Sequence, residues 1–114
     1  MDGVEDILKL RELLEQLLEM PDEIARTGCQ SAQNEYDYRT ALAVREWELR
    51  ADGIPVTILG DLARGDKSVA HLKLLRDSAE AMHKAALERN NANKKAIDTL
   101  RDIIKADYYQ RESF

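Results

Sequence analysis

A single cysteine, Cys29, excludes an intrachain disulfide. No apolar run approaches the roughly 18 residues needed to cross a bilayer. The opening MDGVEDILKL is acidic, without the basic start and apolar stretch of a secretion signal, so a cytoplasmic location is expected. Neither GxxxxGK[ST] nor GxGxxG occurs, which removes the glycine-rich phosphate cradles. His71 and His83 stand far apart with no cysteine beside them, and the ferritin-like pair of ExxH motifs does not occur, so neither a zinc site nor a ferritin-like di-iron site is expected. Aromatics are scarce at 5%, whereas charged residues reach 34% and Leu and Ala dominate the apolar set. That is the make-up of long helices and coiled coils.

The net charge is −5, unevenly spread. Residues 1–24 hold eight acids against Lys9 and Arg11, a net of −6, which leaves +1 for the remainder. Duplex nucleic acid wants a concentrated basic face, and this chain has none.

Three of the five glycines and one of the two prolines fall within residues 51–66, ADGIPVTILGDLARGD. Long periodic segments flank this stretch, so the chain turns here. Gly53 is placed to end the arriving helix in the left-handed conformation, with Ile54 and Leu49 as the apolar pair of a Schellman cap. Pro55 cannot continue that helix. Thr57 is expected to cap a short helical piece at 58–64, whose Ile58, Leu59 and Leu62 would close the hairpin end. Gly65 ends the piece, and Asp66 caps the third helix. The Arg64–Asp66 RGD string reads as a chance tripeptide.

Periodicity predicts helices at 4–20, 22–52 and 66–109, with a connector at 53–65. Pro21, followed by Asp22 and Glu23, predicts a kink or tight corner there, because no loop gives room for a reversal. The second helix carries two stripes. One runs through Ile24, Gly28, Ser31, Tyr38, Leu42, Arg45 and Leu49, the other through Ala25, Cys29, Ala32, Tyr36, Ala43 and Trp47. Gly28 costs about 1 kcal/mol against Ala in mid-helix, which predicts a packing role. Cys29, among small residues, reads as a buried structural thiol. Tyr36, Tyr38 and Trp47 read as core or interface anchors before a base-stacking surface. The third helix has a heptad-like seam: Leu72, Leu75, Ala79, Met82, Ala86, Asn90, Asn93, Ile97, Leu100 and Ile104. The closing QRESF is expected to fray.

The expected fold is thus one all-α domain over residues 1–114. It is a long antiparallel helical hairpin with an additional N-terminal helix covering the overhang of the third. Two such arms cannot hide all these stripes, so assembly into an oligomeric helical bundle is expected.

No residue set reads as catalytic, no cofactor is implied, and a non-enzymatic protein is expected. The candidate ligand-binding residues are basic: Arg64 on the connector, Lys73, Arg76 and Lys84 on the third helix, and Arg45 in a seam of the second, with Tyr38 nearby. Converging at a subunit interface, they could hold a phosphate or a partner's carboxylates. The plainer reading pairs Arg76 with Glu80, and Lys84 with Glu80 or Glu88.

The run EYDYRTALAVREWELRADGIPVTILGDLARGD, then HLKLLRDSAEAMHKAALE and a QRE-aromatic ending, resembles a family of small uncharacterised all-helical proteins of Firmicutes-type phages and prophages. The likeness runs from about Tyr36 to the C-terminus. It is strongest at Tyr38 to Ala43, in the RADGIPVT block and in the DLARGD block. It implies a phage or mobile-element protein, non-enzymatic, and transfers no site residue. Three readings are open. One is a homo-oligomeric helical protein that binds a host or phage protein. Another is an anti-defence sponge that traps a nucleotide immune signal between subunits. The last is a recombination accessory that touches single-stranded DNA.

Overall fold

The computed structural model describes residues 3–112, all but a few of them helical. In order come α1 (Gly3–Ala51), α2 (Val56–Gly65) and α3 (Lys67–Glu112), with no strand among the described residues. Among those residues no helix is long and apolar enough to cross a membrane. The long α1 and α3 pack together. The chain divides into two compact units: α1 through Ala25 with α3 from Lys84 onward, and Arg26–His83.

Of the kink or tight corner expected at Pro21, the corner is absent. Residues 4–20 and 22–52 form one helix, so the N-terminal segment is not a separate element. The reason lies in the buried positions of α1. Asp6, Leu13, Met20 and Thr27 are buried at intervals of seven, and the series runs past Pro21 without a change of phase. An interior proline costs about 3 kcal/mol in lost hydrogen bonding and clash. Burying Leu13 and Met20 is worth about 1.5–3 kcal/mol each, which offsets it. Pro21 itself is exposed.

In the unit Arg26–His83, partners rise along α1 as they fall along α3. The Asn34 amide donates to the Leu75 carbonyl at 3.0 Å, and the Thr27 hydroxyl lies 2.9 Å from His83 Nδ1. The two helices are therefore antiparallel there. Tyr38, Leu49, Val69 and Ala79 are buried, with Ala63 of α2 wholly enclosed. Of the three residues expected to close the hairpin, Leu59 is half-buried while Ile58 and Leu62 remain exposed, and the small Ala63 is the enclosed residue of α2.

In the other unit Leu13, Met20, Ala86 and Leu100 are buried together with two polar residues, Asp6 and Asn93. Asp6 lies in the first turn of α1, where the helix dipole favours a carboxylate. Neither Asp6 Oδ1 nor Asn93 Nδ2 has a hydrogen-bond partner. A buried unsatisfied polar group costs about 1–3 kcal/mol.

The seam of α3 also differs from the expected one. Its enclosed residues are Val69, Ala79, Ala86, Asn93 and Leu100, with Leu72, Arg76, His83 and Asn90 half-buried between them. Leu75 and Met82, assigned to the seam from their apolarity, are exposed. Their next neighbours, Arg76 and His83, take the inward positions. The final turn is helical through Glu112, so of QRESF only the last two residues lie outside the described residues.

The connector is built largely as expected. Gly53 has φ +86, the only positive φ among the described residues. The Ile54 amide donates to the Leu49 carbonyl at 3.1 Å and the Gly53 amide to the Arg50 carbonyl at 3.0 Å, which is the Schellman pattern. Thr57, however, is not a cap. The helix α2 begins at Val56 behind Pro55, with no side-chain cap, because Pro55 at φ −59 already sets the entry geometry. Asp66 does cap α3: its Oδ1 accepts from the Ser68 and Val69 amides at 3.1 and 3.2 Å.

The glycine turn and the helical proline can each be tested by substitution. A Cβ at Gly53 would touch nothing, so Gly53→Val should cost at least ~1 kcal/mol through backbone strain alone. A denaturation midpoint equal to wild type would contradict that. Pro21→Ala should restore the missing hydrogen bond and raise stability by about 2 kcal/mol, read from urea unfolding followed by circular dichroism.

Candidate functional site

The densest polar arrangement lies in the unit Arg26–His83, where Arg76 occupies a seam position of α3. Its guanidinium carbon stands 4.6 Å above the centre of the buried Tyr38 ring of α1. Its Nε and Nη2 donate to Asp77 Oδ1 at 3.0 and 2.9 Å, and Nε lies 3.4 Å from Glu35 Oε2. The side chain is 23% exposed, so the cation is largely enclosed. The hydrogen bond to Asp77 holds the Arg76 pKa above the ordinary arginine value, desolvation opposing it and the charges of Asp77 and Glu35 assisting. Arg76 therefore stays charged across the working pH range.

Beside this pair an open cleft of about 550 Å³ is lined by Gly28, Ser31, Ala32, Glu35, Arg76, Glu80 and His83. Gly28 has the packing role expected of it: a Cβ there would sit 3.1 Å from His83 Cε1. The bare backbone makes room for the imidazole, which then reaches Thr27. The Thr27 hydroxyl is buried, out of reach of a substrate in solvent, so the Thr27–His83 contact is a packing bond between helices. No group of three metal-ligating side chains occurs among the described residues.

Arg45 is held elsewhere in the same unit. Its Nη1 donates to Glu48 Oε2 at 3.1 Å, and its Nε lies 3.4 Å from Asp66 Oδ2. Asp66 thus divides its oxygens, one capping α3 and the other tying the connector to α1. Arg64 pairs with Asp61 at 2.7 Å on the exposed side of α2, over Gly60. Lys73 is exposed on α3 and lines neither the cleft nor the Arg76 arrangement. Lys84 belongs to the other unit and is also exposed.

Of the six candidate residues, then, only Arg76 and Tyr38 are brought into contact. The local pairings also differ from those expected. Arg76 binds Asp77 and Glu35 where Glu80 was expected, because its inward position points it across to α1. Cys29, expected to be buried, is exposed, because its stripe of α1 is not the one that α3 covers. Glu35, Asp77 and the Thr27–Gly28–His83 contact were not expected from the sequence. The signal for them was the sevenfold phase 69, 76, 83, 90 of α3, which passes through a charged residue and a histidine.

The chain matches no family model, no curated protein and no solved structure.

Arg76→Glu would set a third carboxylate against Glu35 and Asp77 beneath Tyr38. We expect a loss of about 1 kcal/mol in unfolding free energy, since Glu35 and Asp77 are partly exposed and their charges screened by water. A midpoint within error of wild type would show the network to be dispensable.

Proposed function

We propose that this chain is a non-enzymatic helical interaction protein that assembles with copies of itself and presents the assembly to a host or phage protein. The phage or mobile-element setting is the one implied by the family resemblance. The observation that carries the self-assembly is surface area. The chain, of 13.0 kDa, exposes 8507 Å², whereas a folded monomer of that mass exposes about 6,300 Å², leaving an excess of about 2,200 Å². The surplus is also apolar in both units: Val4, Ile7, Leu8, Leu14 and Leu18 in one, Tyr36, Trp47, Leu74, Leu75 and Met82 in the other, all exposed. Water-facing stripes of this kind mark interaction surfaces.

The competing reading, a nucleotide sponge, needs cations available to phosphate. Arg45, Arg64 and Arg76 are each engaged by carboxylates, so a phosphate would have to displace an acid at each. The third reading, single-stranded DNA, needs exposed aromatics beside cations. Tyr38 is buried beneath Arg76, which leaves Tyr36 and Trp47 as the exposed rings of α1.

Light scattering at micromolar concentration should give a mass of at least two chains, with helicity lost as the assembly is diluted apart. A folded monomer would remove the proposal. A thermal shift of several degrees with nucleotides, and none with host lysate fractions, would put the sponge reading in its place.

A further inference from the structure

In the unit formed by α1 through Ala25 with α3 from Lys84 onward, α1 carries three parallel stripes. The covered one holds Asp6, Leu10, Leu13, Leu17 and Met20, all buried or half-buried. One residue further round the helix lie Val4, Ile7, Arg11, Leu14, Leu18 and Pro21. One further again lie Glu5, Leu8, Glu12, Glu15, Glu19 and Asp22, and all members of these two stripes are exposed. Both run at alternating steps of three and four residues, so each keeps its place on the helix for nearly five turns, with about 100° between neighbouring stripes.

The middle stripe is an apolar ridge. Leu18 is 81% accessible, and Val4, Ile7 and Leu14 are exposed as well. Its one cation, Arg11, pairs with the acidic side, its Nε 3.5 Å from Glu15 Oε1. The stripe beside it is acidic at every position but Leu8. Lys9 meets Glu12 at 3.5 Å, whereas Glu19 and Asp22 have no ion pair among the described residues. An apolar seam flanked by charge is the arrangement by which one helix selects another. The seam supplies the burial, and the flank sets the sign of the partner's charge.

We propose that this face of α1, from Val4 to Asp22, docks a basic amphipathic helix of a partner protein. The proposal rests on the partner half of the function inferred above and is independent of the self-assembly half. Charge complementarity singles out the occupant. Residues 1–24 carry a net −6 and the rest of the chain +1. A second copy laid face to face would therefore set acidic stripe against acidic stripe, and the remainder of the chain has no concentrated basic face to offer in its place. The same carboxylates repel an anionic lipid surface and a nucleic acid. A helix with apolar residues at steps of three and four covers the ridge, and lysines or arginines on its flank meet Glu12, Glu15, Glu19 and Asp22.

The probe is a synthetic helix of leucine and lysine, about 18 residues or five turns long, with leucines at steps of three and four. Fluorescence anisotropy follows its binding to the full chain, and a scrambled peptide of the same composition is the control. The amphipathic helix should bind with a micromolar Kd and the scrambled peptide about tenfold more weakly. Glu19→Lys with Asp22→Lys should weaken binding about tenfold at low salt and less at high salt, where charges are screened. Asp52→Lys with Glu88→Lys makes the same change in net charge at exposed positions off this face, and should leave Kd within about twofold of wild type. Leu14→Gln with Leu18→Gln should weaken binding about tenfold while helicity is unchanged. Equal binding of the scrambled peptide, or equal weakening by the Asp52 and Glu88 changes, would reduce the attraction to net charge and overturn the proposal. A fall in mass by light scattering on Glu19→Lys with Asp22→Lys would assign the face to a second copy and overturn it too. An oligomer that leaves the amphipathic helix unbound would overturn this face and leave self-assembly standing. A monomer that binds it with the expected losses would uphold this face and remove self-assembly.

Discussion

Two packed helices can cover only one stripe of each other, and that limit governs this protein. An amphipathic helix in a globular core usually has two or three neighbours, and its apolar arc is correspondingly wide. Here α1 carries an arc of that width, and α3 covers one side of it. The buried side holds Leu13, Met20, Tyr38 and Leu49; the uncovered side holds Leu8, Leu18, Tyr36 and Trp47. The large accessible surface is the direct result.

The covered seam is not uniform. In the unit Arg26–His83 Thr27 is answered by His83 and Arg76 by Asp77 and Glu35 over Tyr38, while Arg45 Nε lies 3.4 Å from Asp66 without a hydrogen bond. In the other unit Asp6 and Asn93 each keep a buried polar atom without a partner. Polar residues at seam positions lower stability but restrict register, since a slip of one turn would move each away from the neighbour it fits. The Thr27–His83 bond and the enclosed Arg76 pin the register most firmly, because Gly28 leaves the imidazole nowhere else to pack as closely.

The same contacts bear on what the basic residues do. A guanidinium stacked on tyrosine and paired with carboxylates of both helices acts as a helix-to-helix tie. Arg45 serves the connector in the same manner, through the oxygen of Asp66 that the α3 cap leaves over. The arginines themselves are easily found in the sequence, but their acids come from other turns and other helices. Glu35 and Arg76 are distant in sequence, so nothing local signals that they meet.

What the sequence alone determined is what depends on near neighbours. Helical periodicity, the left-handed Gly53 with its Schellman bonds, the Asp66 cap and the need for a small residue at Gly28 are legible from residues a few positions apart. The continuity of α1 through Pro21 was not legible. The local cost of a proline argues for a break, and only the burial of Met20 and Leu13 by a distant helix outweighs it. Tertiary structure alone also decided the phase of the seam. Leu75 and Arg76, like Met82 and His83, are adjacent residues about 100° apart on the helix. Hydrophobicity favours the leucine and the methionine as the inward pair. With more apolar stripe than one partner can cover, the choice fell to fit: Tyr38 and Glu35 could receive Arg76, and Gly28 with Thr27 could receive His83.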